Sequence, residues 1–107
     1  MSKKEGQRNR AILETLYSCG LRVSELCNLK LSELYFDEGF IKVEGKGSKQ
    51  RLVPISPRAI KEIKYWLLDR NLGKIKKGFE DYVFLARWGN SISRIMVFHL
   101  IKELAEK

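Results

Sequence analysis

The sequence has few of the residues that build redox or metal centres. It contains two cysteines and one histidine in 107 residues. Cys19 and Cys27 lie eight positions apart in apolar, helix-patterned sequence, without the Cys-x-x-Cys spacing or nearby histidines of a zinc site. We therefore expect two buried thiols and no metal.

Long hydrophobic runs are also lacking. No apolar segment approaches the roughly 20 residues that a membrane-spanning helix needs. The first six residues, Met-Ser-Lys-Lys-Glu-Gly, do not contain the apolar stretch of a secretory signal. These absences argue against a membrane protein and predict a reducing, cytoplasmic location.

The charge is strongly biased towards one sign. Lys and Arg number 21 against 13 Asp and Glu, a formal net charge of +8, in a chain that is 44% hydrophobic and 32% charged. The composition is that of a globular domain, and the length suits one small domain with a real core. The positive excess favours a polyanionic partner, most commonly nucleic acid, and the alternative is a merely basic surface.

Apolar spacing near the start of the sequence predicts two helices separated by a sharp turn. The first runs from Gln7 to Cys19, with Ile12, Leu13, Leu16 and Cys19 inward and Arg8, Arg10 and Glu14 on the other side. Gly20 suits the left-handed residue that ends many helices. A second, short helix is expected from Arg22 to Leu29, packed through Val23, Leu26 and Leu29.

Short β-like runs follow and predict a three-stranded antiparallel meander. The runs are Leu34–Phe36, Phe40–Glu44 and Arg51–Ile55, separated by glycine-containing turns. Ile41 and Val43 share one face of the middle strand, and Leu52 is expected to pair with them.

The second half of the sequence returns to helical patterns. Ser56 and Pro57 are typical of a helix start, and this helix is expected to end near Asn71. A basic loop, a short buried segment at Val83 to Leu85 and a turn at Trp88 to Asn90 precede a last helix with Ile95, Val97, Phe98 and Ile101 inward. The predicted fold class is α+β, mostly helical with a small three-stranded antiparallel sheet.

Arg22 and Glu25 are candidate functional residues on the second helix. They lie three positions apart, so they are neighbours on one helix face, where the carboxylate can hold the guanidinium in a fixed orientation. An arginine at a helix start after a tight turn can direct two N–H groups onto a phosphate. The alternative is an ordinary surface ion pair.

Lys46 is the candidate functional residue of the predicted hairpin. Gly45 and Gly47 flank it, leaving little side-chain bulk to keep DNA away, so the lysine could reach a groove or donate a proton to a leaving alkoxide. The alternative is a solvent-exposed hairpin lysine. Lys49 and Arg51 extend the cationic strip and are predicted to contact a DNA backbone.

Together these two regions resemble the signature regions of tyrosine recombinases, the phage-integrase family, and most of all its Xer-type branch. The matching stretches are Gly20-Leu21-Arg22-Val23-Ser24-Glu25-Leu26 and Gly45-Lys46-Gly47 through Lys49 and Arg51 to Leu52-Val53-Pro54. The resemblance implies that Arg22 clamps the non-bridging oxygens of the scissile phosphate and that Lys46 protonates the departing 5′ oxygen. It also implies that Glu25 supports the arginine.

Other elements of that family pattern are not found in the sequence. A His-x-x-Arg motif, a further His or Trp and a late nucleophilic tyrosine have no counterpart before Lys107. Tyr17, Tyr35, Tyr65 and Tyr82 lie upstream of the nucleophile's expected place, and His99 is interpreted as structural or as a DNA-backbone contact. The expectation is one domain over 1–107, a truncated N-terminal portion of the catalytic domain that is inactive alone and retains weak, salt-sensitive DNA affinity.

The resemblance thus implies a parent recombinase that cleaves and rejoins DNA strands through a 3′-phosphotyrosyl intermediate. Its implied partners are double-stranded DNA and other recombinase protomers, with no cofactor. The alternative is a non-catalytic basic DNA-binding or regulatory module with the same fold. An RNA-binding hairpin is disfavoured because no aromatic lies beside Lys46 to stack on unpaired bases.

Overall fold

In the part of the chain that the structure describes, the fold combines four α-helices with a small three-stranded sheet that lies between the second and third helices in chain order. The computed structural model describes residues 3–45, 47 and 49–105. In chain order these residues form α1 (Lys3–Cys19), α2 (Val23–Cys27), a 3₁₀ turn (Leu31–Glu33), β1 (Leu34–Tyr35), β2 (Phe40–Glu44), β3 (Gln50–Pro54), α3 (Pro57–Leu72) and α4 (Arg94–Ala105). The predicted α+β fold class is confirmed. None of the helices in these ranges is long and apolar enough to cross a bilayer.

The turn between α1 and α2 forms as the sequence predicts. Gly20 has a φ of +62°, and its N–H donates to the Leu16 carbonyl at 2.9 Å, which closes the last turn of α1. Leu21 then enters the core. The helix α2 spans Val23–Cys27 and is therefore shorter than the predicted helix from Arg22 to Leu29. Leu29 is nevertheless buried, as predicted.

The sheet has the order β1-β2-β3, with both pairs antiparallel. Its register between β2 and β3 pairs Ile41 with Val53, Lys42 with Leu52 and Val43 with Arg51. The prediction that Leu52 faces the core was wrong: Leu52 is 61% exposed, and Val53 is the buried residue of β3. Because side chains alternate along a strand, the same register places Arg51 on the core side, next to Val43.

The helix α3 begins with the cap that the sequence predicts. The Ser56 hydroxyl accepts a hydrogen bond from the Ala59 N–H at 3.1 Å, and Pro57 occupies the first helical position. The Ser56 N–H donates to the Ser18 hydroxyl at 2.8 Å, which ties the start of α3 to the end of α1. The two helices pack along each other over the apolar core.

Buried polar side chains of α3 hold the segment 80–83. The Trp66 indole N–H donates to the Val83 carbonyl at 2.8 Å. Arg70 is only 4% exposed and donates to the Tyr82 carbonyl at 3.0 Å and the Glu80 carbonyl at 2.5 Å. Each buried donor therefore satisfies a carbonyl of a segment that has no long strand or helix of its own.

The same segment binds the connection between α2 and β1. The Val83 N–H donates to the Leu29 carbonyl at 3.0 Å, and the Leu31 N–H donates to the Asp81 carbonyl at 2.7 Å. The Asp81 carboxylate accepts from the Ser32 hydroxyl at 2.7 Å. Through segment 80–83, α3 therefore fixes the chain that leaves α2.

The polar face predicted for the first helix is wrong at Arg8. Arg8 is only 5% exposed. Its Nε and Nη2 donate to the Asn9 side-chain carbonyl at 3.1 and 2.9 Å, and its Nη1 donates to the Leu85 carbonyl at 3.4 Å. A buried guanidinium is tolerated here because these acceptors replace water.

The helix α4 buries a narrower stripe than its sequence predicts. Val97 is fully buried as expected, but Ile95 is 69% exposed and Phe98 is 53% exposed. Ile101 is also partly exposed. The prediction for these three residues was wrong because the described part of the chain packs against only one side of α4.

Gly89, in the loop 86–90, lies too close to the backbone of residues 74–76 for a side chain to fit. Gly89 has a φ of +91°, and a Cβ there would lie 2.6 Å from the Lys74 carbonyl oxygen and 2.9 Å from the Lys76 nitrogen. Gly78 has a similar φ of +95°, with nothing within 4 Å of the Cβ position. A side chain at either glycine would meet the same backbone strain, but only at Gly89 would it also clash with neighbouring backbone atoms.

We expect Gly78→Ala to destabilise the protein by about 1–2 kcal/mol, the cost of a left-handed alanine. Gly89→Ala should cost a further ~1–3 kcal/mol because the backbone of residues 74–76 must move. Urea denaturation of both variants measures the difference. Equal losses of free energy of unfolding would show that the loop relaxes freely around the added methyl group.

Candidate active site

Arg22 stands at the N-terminal end of α2. Its backbone is extended, with φ −72° and ψ 151°, and the helix begins at the next residue. The Glu25 Oε1 accepts a hydrogen bond from the Arg22 N–H at 2.9 Å. A glutamate in this position satisfies an N–H that the helix leaves without an intrahelical partner. The backbone of Arg22 is therefore held, while its side chain is exposed.

Glu25 does not hold the Arg22 guanidinium as the sequence suggested. The Glu25 carboxylate pairs with Arg51 instead: Nη1 lies 2.6 Å from Oε2, and Nη2 lies 3.0 Å from Oε1. Within the described ranges the Arg22 guanidinium has no hydrogen bond or ion pair. The difference arises from the register of the sheet, which turns Arg51 towards α2.

The Glu25 carboxylate interacts with both Arg51 and Arg22, and these interactions lower its pKa. Hydrogen bonds from Arg51 are the main cause that holds the pKa of Glu25 below its ordinary value of 4.5; the Arg22 N–H and the charges of both arginines act in the same direction. Partial burial opposes them. The Glu25 side chain is 8% exposed, whereas that of Arg51 is 48% exposed. Glu25 is therefore an ionised, largely enclosed acceptor.

The base of the β2–β3 hairpin lies beside this ion pair. The Gly45 N–H donates to the Lys49 carbonyl at 2.7 Å and closes the loop. A Cβ at Gly45 would lie 3.6 Å from the Arg51 Nη1 and 3.8 Å from the Glu25 Oε2. Lys46 follows Gly45 in the sequence but lies outside the described residues, and Lys49 is exposed. The structure thus brings the base of the hairpin, at Gly45, next to Glu25 and Arg51.

An open depression of about 320 Å³ adjoins the pair, between α2 and the end of β2. It is lined by Glu25, Asn28, Leu29, Lys30, Glu33, Val43, Glu44 and Gly45. Among the described residues, no group of three His, Cys, Asp or Glu side chains is arranged to hold a metal ion. The ionisable groups that line the depression are three carboxylates, Glu25, Glu33 and Glu44, and one ammonium, Lys30.

The tyrosines and the histidine lie elsewhere on the surface or against other side chains. Tyr35 stacks on Phe40 with ring centroids 5.0 Å apart. Tyr82 packs against Phe79 at 5.5 Å, and the Lys30 Nζ lies 4.3 Å from its ring centroid. Tyr17 and Tyr65 are exposed on α1 and α3, and His99 is exposed on α4.

The contact between Glu25 and Arg51 is the feature that sequence reasoning missed. The signal was present in the strand alternation. Once Ile41 and Val43 are assigned to the core face, the residue paired with Val43 must point the same way. Choosing Leu52 as the inward residue shifted β3 by one position and placed Arg51 on the opposite face of the sheet.

We expect Glu25→Gln to reduce the acid sensitivity of folding. Because the pKa of Glu25 is lower in the folded than in the unfolded chain, the stabilisation is fully present above the ordinary pKa and is lost as the pH falls through the lowered one. The free energy of unfolding of the wild type should therefore fall more steeply between about pH 5 and pH 3 than that of the variant.

Urea denaturation at a series of pH values measures these slopes. Glu38→Gln is the matched control, because Glu38 is an exposed carboxylate in the turn between β1 and β2. Its slope should remain that of the wild type. An unchanged acid slope in Glu25→Gln would contradict the described role of the Glu25 pair.

Two named relatives resemble this chain over most of its length. The tyrosine recombinase XerC of Thermodesulfovibrio yellowstonii is 43% identical over 103 residues, covering 94% of this chain and 34% of the relative. The tyrosine recombinase XerD of Chlorobaculum tepidum is 41% identical over 98 residues, covering 92% of this chain and 32% of the relative. The chain therefore spans about a third of the length of these curated relatives.

Solved structures show the same fold. The XerH site-specific recombinase bound to its difH substrate in a pre-cleavage complex superimposes with a TM-score of 0.86 at 27% identity, covering 99% of this chain and 30% of that one. XerA recombinase gives a TM-score of 0.82 at 27% identity, covering 95% of this chain and 36% of that one. The model of the phage integrase family matches residues 1–107. On these grounds the chain belongs to the phage integrase family.

Proposed function

We propose that the protein containing this chain is a site-specific tyrosine recombinase and that the chain forms the first part of its catalytic domain. The observation that carries the proposal is the juxtaposition around Glu25. An exposed arginine with a fixed backbone stands at one side of this carboxylate, and the base of a lysine-bearing hairpin lies at the other. The names of the relatives support the same activity.

Arg22 is proposed to bind the scissile phosphate. Its guanidinium is exposed and is not engaged by Glu25, so both of its terminal nitrogens are available to two non-bridging oxygens. A planar guanidinium held in a fixed place stabilises the negative charge that develops on the phosphate oxygens in the transition state. This role needs the backbone of Arg22 to stay in place, which the hydrogen bond to Glu25 provides.

Lys46 is proposed as the general acid. The loop that bears it is anchored where Gly45 meets Glu25 and Arg51. As the nucleophilic tyrosine forms its bond to phosphorus, the bond to the 5′ oxygen breaks, and Lys46 gives that oxygen a proton. The reverse exchange rejoins the strand. Cationic side chains neutralise the phosphate in this scheme, so it includes no cofactor.

Duplex DNA and further protomers are the proposed partners. XerH, which shares this fold, was solved bound to its difH substrate. The positive charge of this chain and the exposed Lys49 beside the hairpin suit contacts to a phosphate backbone. Glu25 is proposed to act as the support of the site rather than as a proton carrier.

The first test uses the full-length protein and a nicked duplex that traps the covalent complex. Arg22→Ala should reduce covalent complex by about 10²-fold or more, as loss of a transition-state donor does. Lys46→Ala should cost roughly 10²–10⁴-fold, as loss of a general acid does. A denaturing gel measures the trapped complex.

The control is Lys64→Ala, which removes a cation from the exposed face of α3. It should leave the yield of covalent complex unchanged. If the wild type binds its site but forms no covalent complex, the catalytic assignment is wrong, and the non-catalytic DNA-binding or regulatory module takes its place.

A second prediction concerns the 107-residue chain by itself. We expect it to form no covalent complex with DNA, since the family resemblance assigns the nucleophile to none of its four tyrosines. It should retain weak duplex affinity that decreases with salt. The same trapping assay and a filter-binding titration test both statements. Strand cleavage by the purified chain would refute the first.

A further inference from the structure

Arg51 joins the two elements that carry the proposed catalytic cations. It stands near the start of β3, and its two terminal nitrogens reach across to the Glu25 carboxylate on α2 at 2.6 and 3.0 Å. The same carboxylate accepts from the Arg22 N–H at 2.9 Å. One side chain therefore connects the hairpin to the entrance of α2.

The geometry of this contact makes it a rigid one. Two parallel N–H···O bonds fix the direction as well as the distance between a guanidinium and a carboxylate. The Glu25 side chain is only 8% exposed, so it has little water to replace a lost partner. Gly45 lies beside both Glu25 and Arg51, so a movement of this ion pair displaces the base of the hairpin loop.

The same contact makes Arg51 a poor ligand for DNA. Both terminal nitrogens already donate to Glu25. Turning them to a phosphate would leave an enclosed carboxylate without its counter-charge, beside an approaching anion. Lys49 lies two positions before Arg51 in the sequence. Its side chain is exposed, so it does not share this restriction.

We propose that Arg51 is a positioning residue, which holds the hairpin bearing Lys46 at a set distance from Arg22, and that it does not bind the DNA backbone. The inference deepens the recombinase function proposed above and rests on it. Removing Arg51 takes away the contact between the base of the hairpin and α2, whereas the β2–β3 pairing and the Arg22 backbone hydrogen bond to Glu25 remain. The main consequence is therefore a failure to protonate the leaving 5′ oxygen.

The first experiment measures single-turnover cleavage by the full-length protein on two nicked duplexes. One has the natural 5′ oxygen at the scissile phosphate, and the other has a bridging sulfur. A thiol has a pKa of roughly 8.5, far below that of an alcohol, so a thiolate leaves without a proton donor. Arg51→Gln should slow cleavage of the oxygen substrate by about 10–100-fold through misplacement of the hairpin.

With the sulfur substrate, Arg51→Gln should return to within about threefold of the wild type, because that reaction avoids the step that depends on hairpin placement. Lys46→Ala should show the same rescue, and Arg22→Ala should show none. A slow Arg51→Gln that sulfur does not rescue indicates general damage to the site and overturns the proposal. A wild-type rate for Arg51→Gln with oxygen also overturns it.

A second experiment separates positioning from DNA contact. If Arg51 made a phosphate contact, Arg51→Gln would lower the slope of log affinity against log salt by about 0.9. We expect no change for Arg51→Gln and a reduction of about 0.9 for Lys49→Gln. Arg51→Lys should remain slow in cleavage, since lysine keeps the charge but not the fork.

Restored cleavage in Arg51→Lys together with a reduced slope in Arg51→Gln would make Arg51 a DNA contact and overturn the inference while leaving the recombinase function intact. Full activity in both Arg22→Ala and Lys46→Ala would instead remove the proposed function itself, and the inference with it. Thermal unfolding midpoints of all variants, measured beside the rates, show that each one is folded.

Discussion

The Glu25 carboxylate is the interaction on which the arrangement of the site depends. It closes the first turn of α2 through the Arg22 N–H and holds the hairpin through Arg51. The two arginines are far apart in the sequence, since α2, the 3₁₀ turn and strands β1 and β2 lie between them. The ionised, little-exposed carboxylate makes both contacts at once, and these contacts lower its pKa.

The surrounding fold keeps this carboxylate in place from the opposite end of α2. Buried donors of α3, Trp66 and Arg70, fix the carbonyls of segment 80–83. That segment in turn bonds the chain leaving α2 at Leu29 and Leu31. The short helix is thus held at its start by Glu25 and at its end by α3, which suits a helix too short to be stable alone.

Much of the fold follows from local pattern, because apolar period and turn residues report on local geometry. The helix end at Gly20 and the start at Ser56 and Pro57 are of this kind. The partner of Glu25 was not predicted, since it depends on strand register, where a shift of one residue exchanges the two faces. The exposed side of α4 was not predicted either, since periodicity marks an apolar face but not what packs on it.

The most direct measurement is a crystal structure of the full-length protein on a nicked DNA site. We expect the Arg22 guanidinium to lie within hydrogen-bond distance of two non-bridging oxygens of the scissile phosphate, with Arg51 still paired to Glu25 and Lys46 near the 5′ oxygen. Arg51 on a phosphate with its bond to Glu25 broken, or Arg22 turned away from the phosphate, would contradict this expectation.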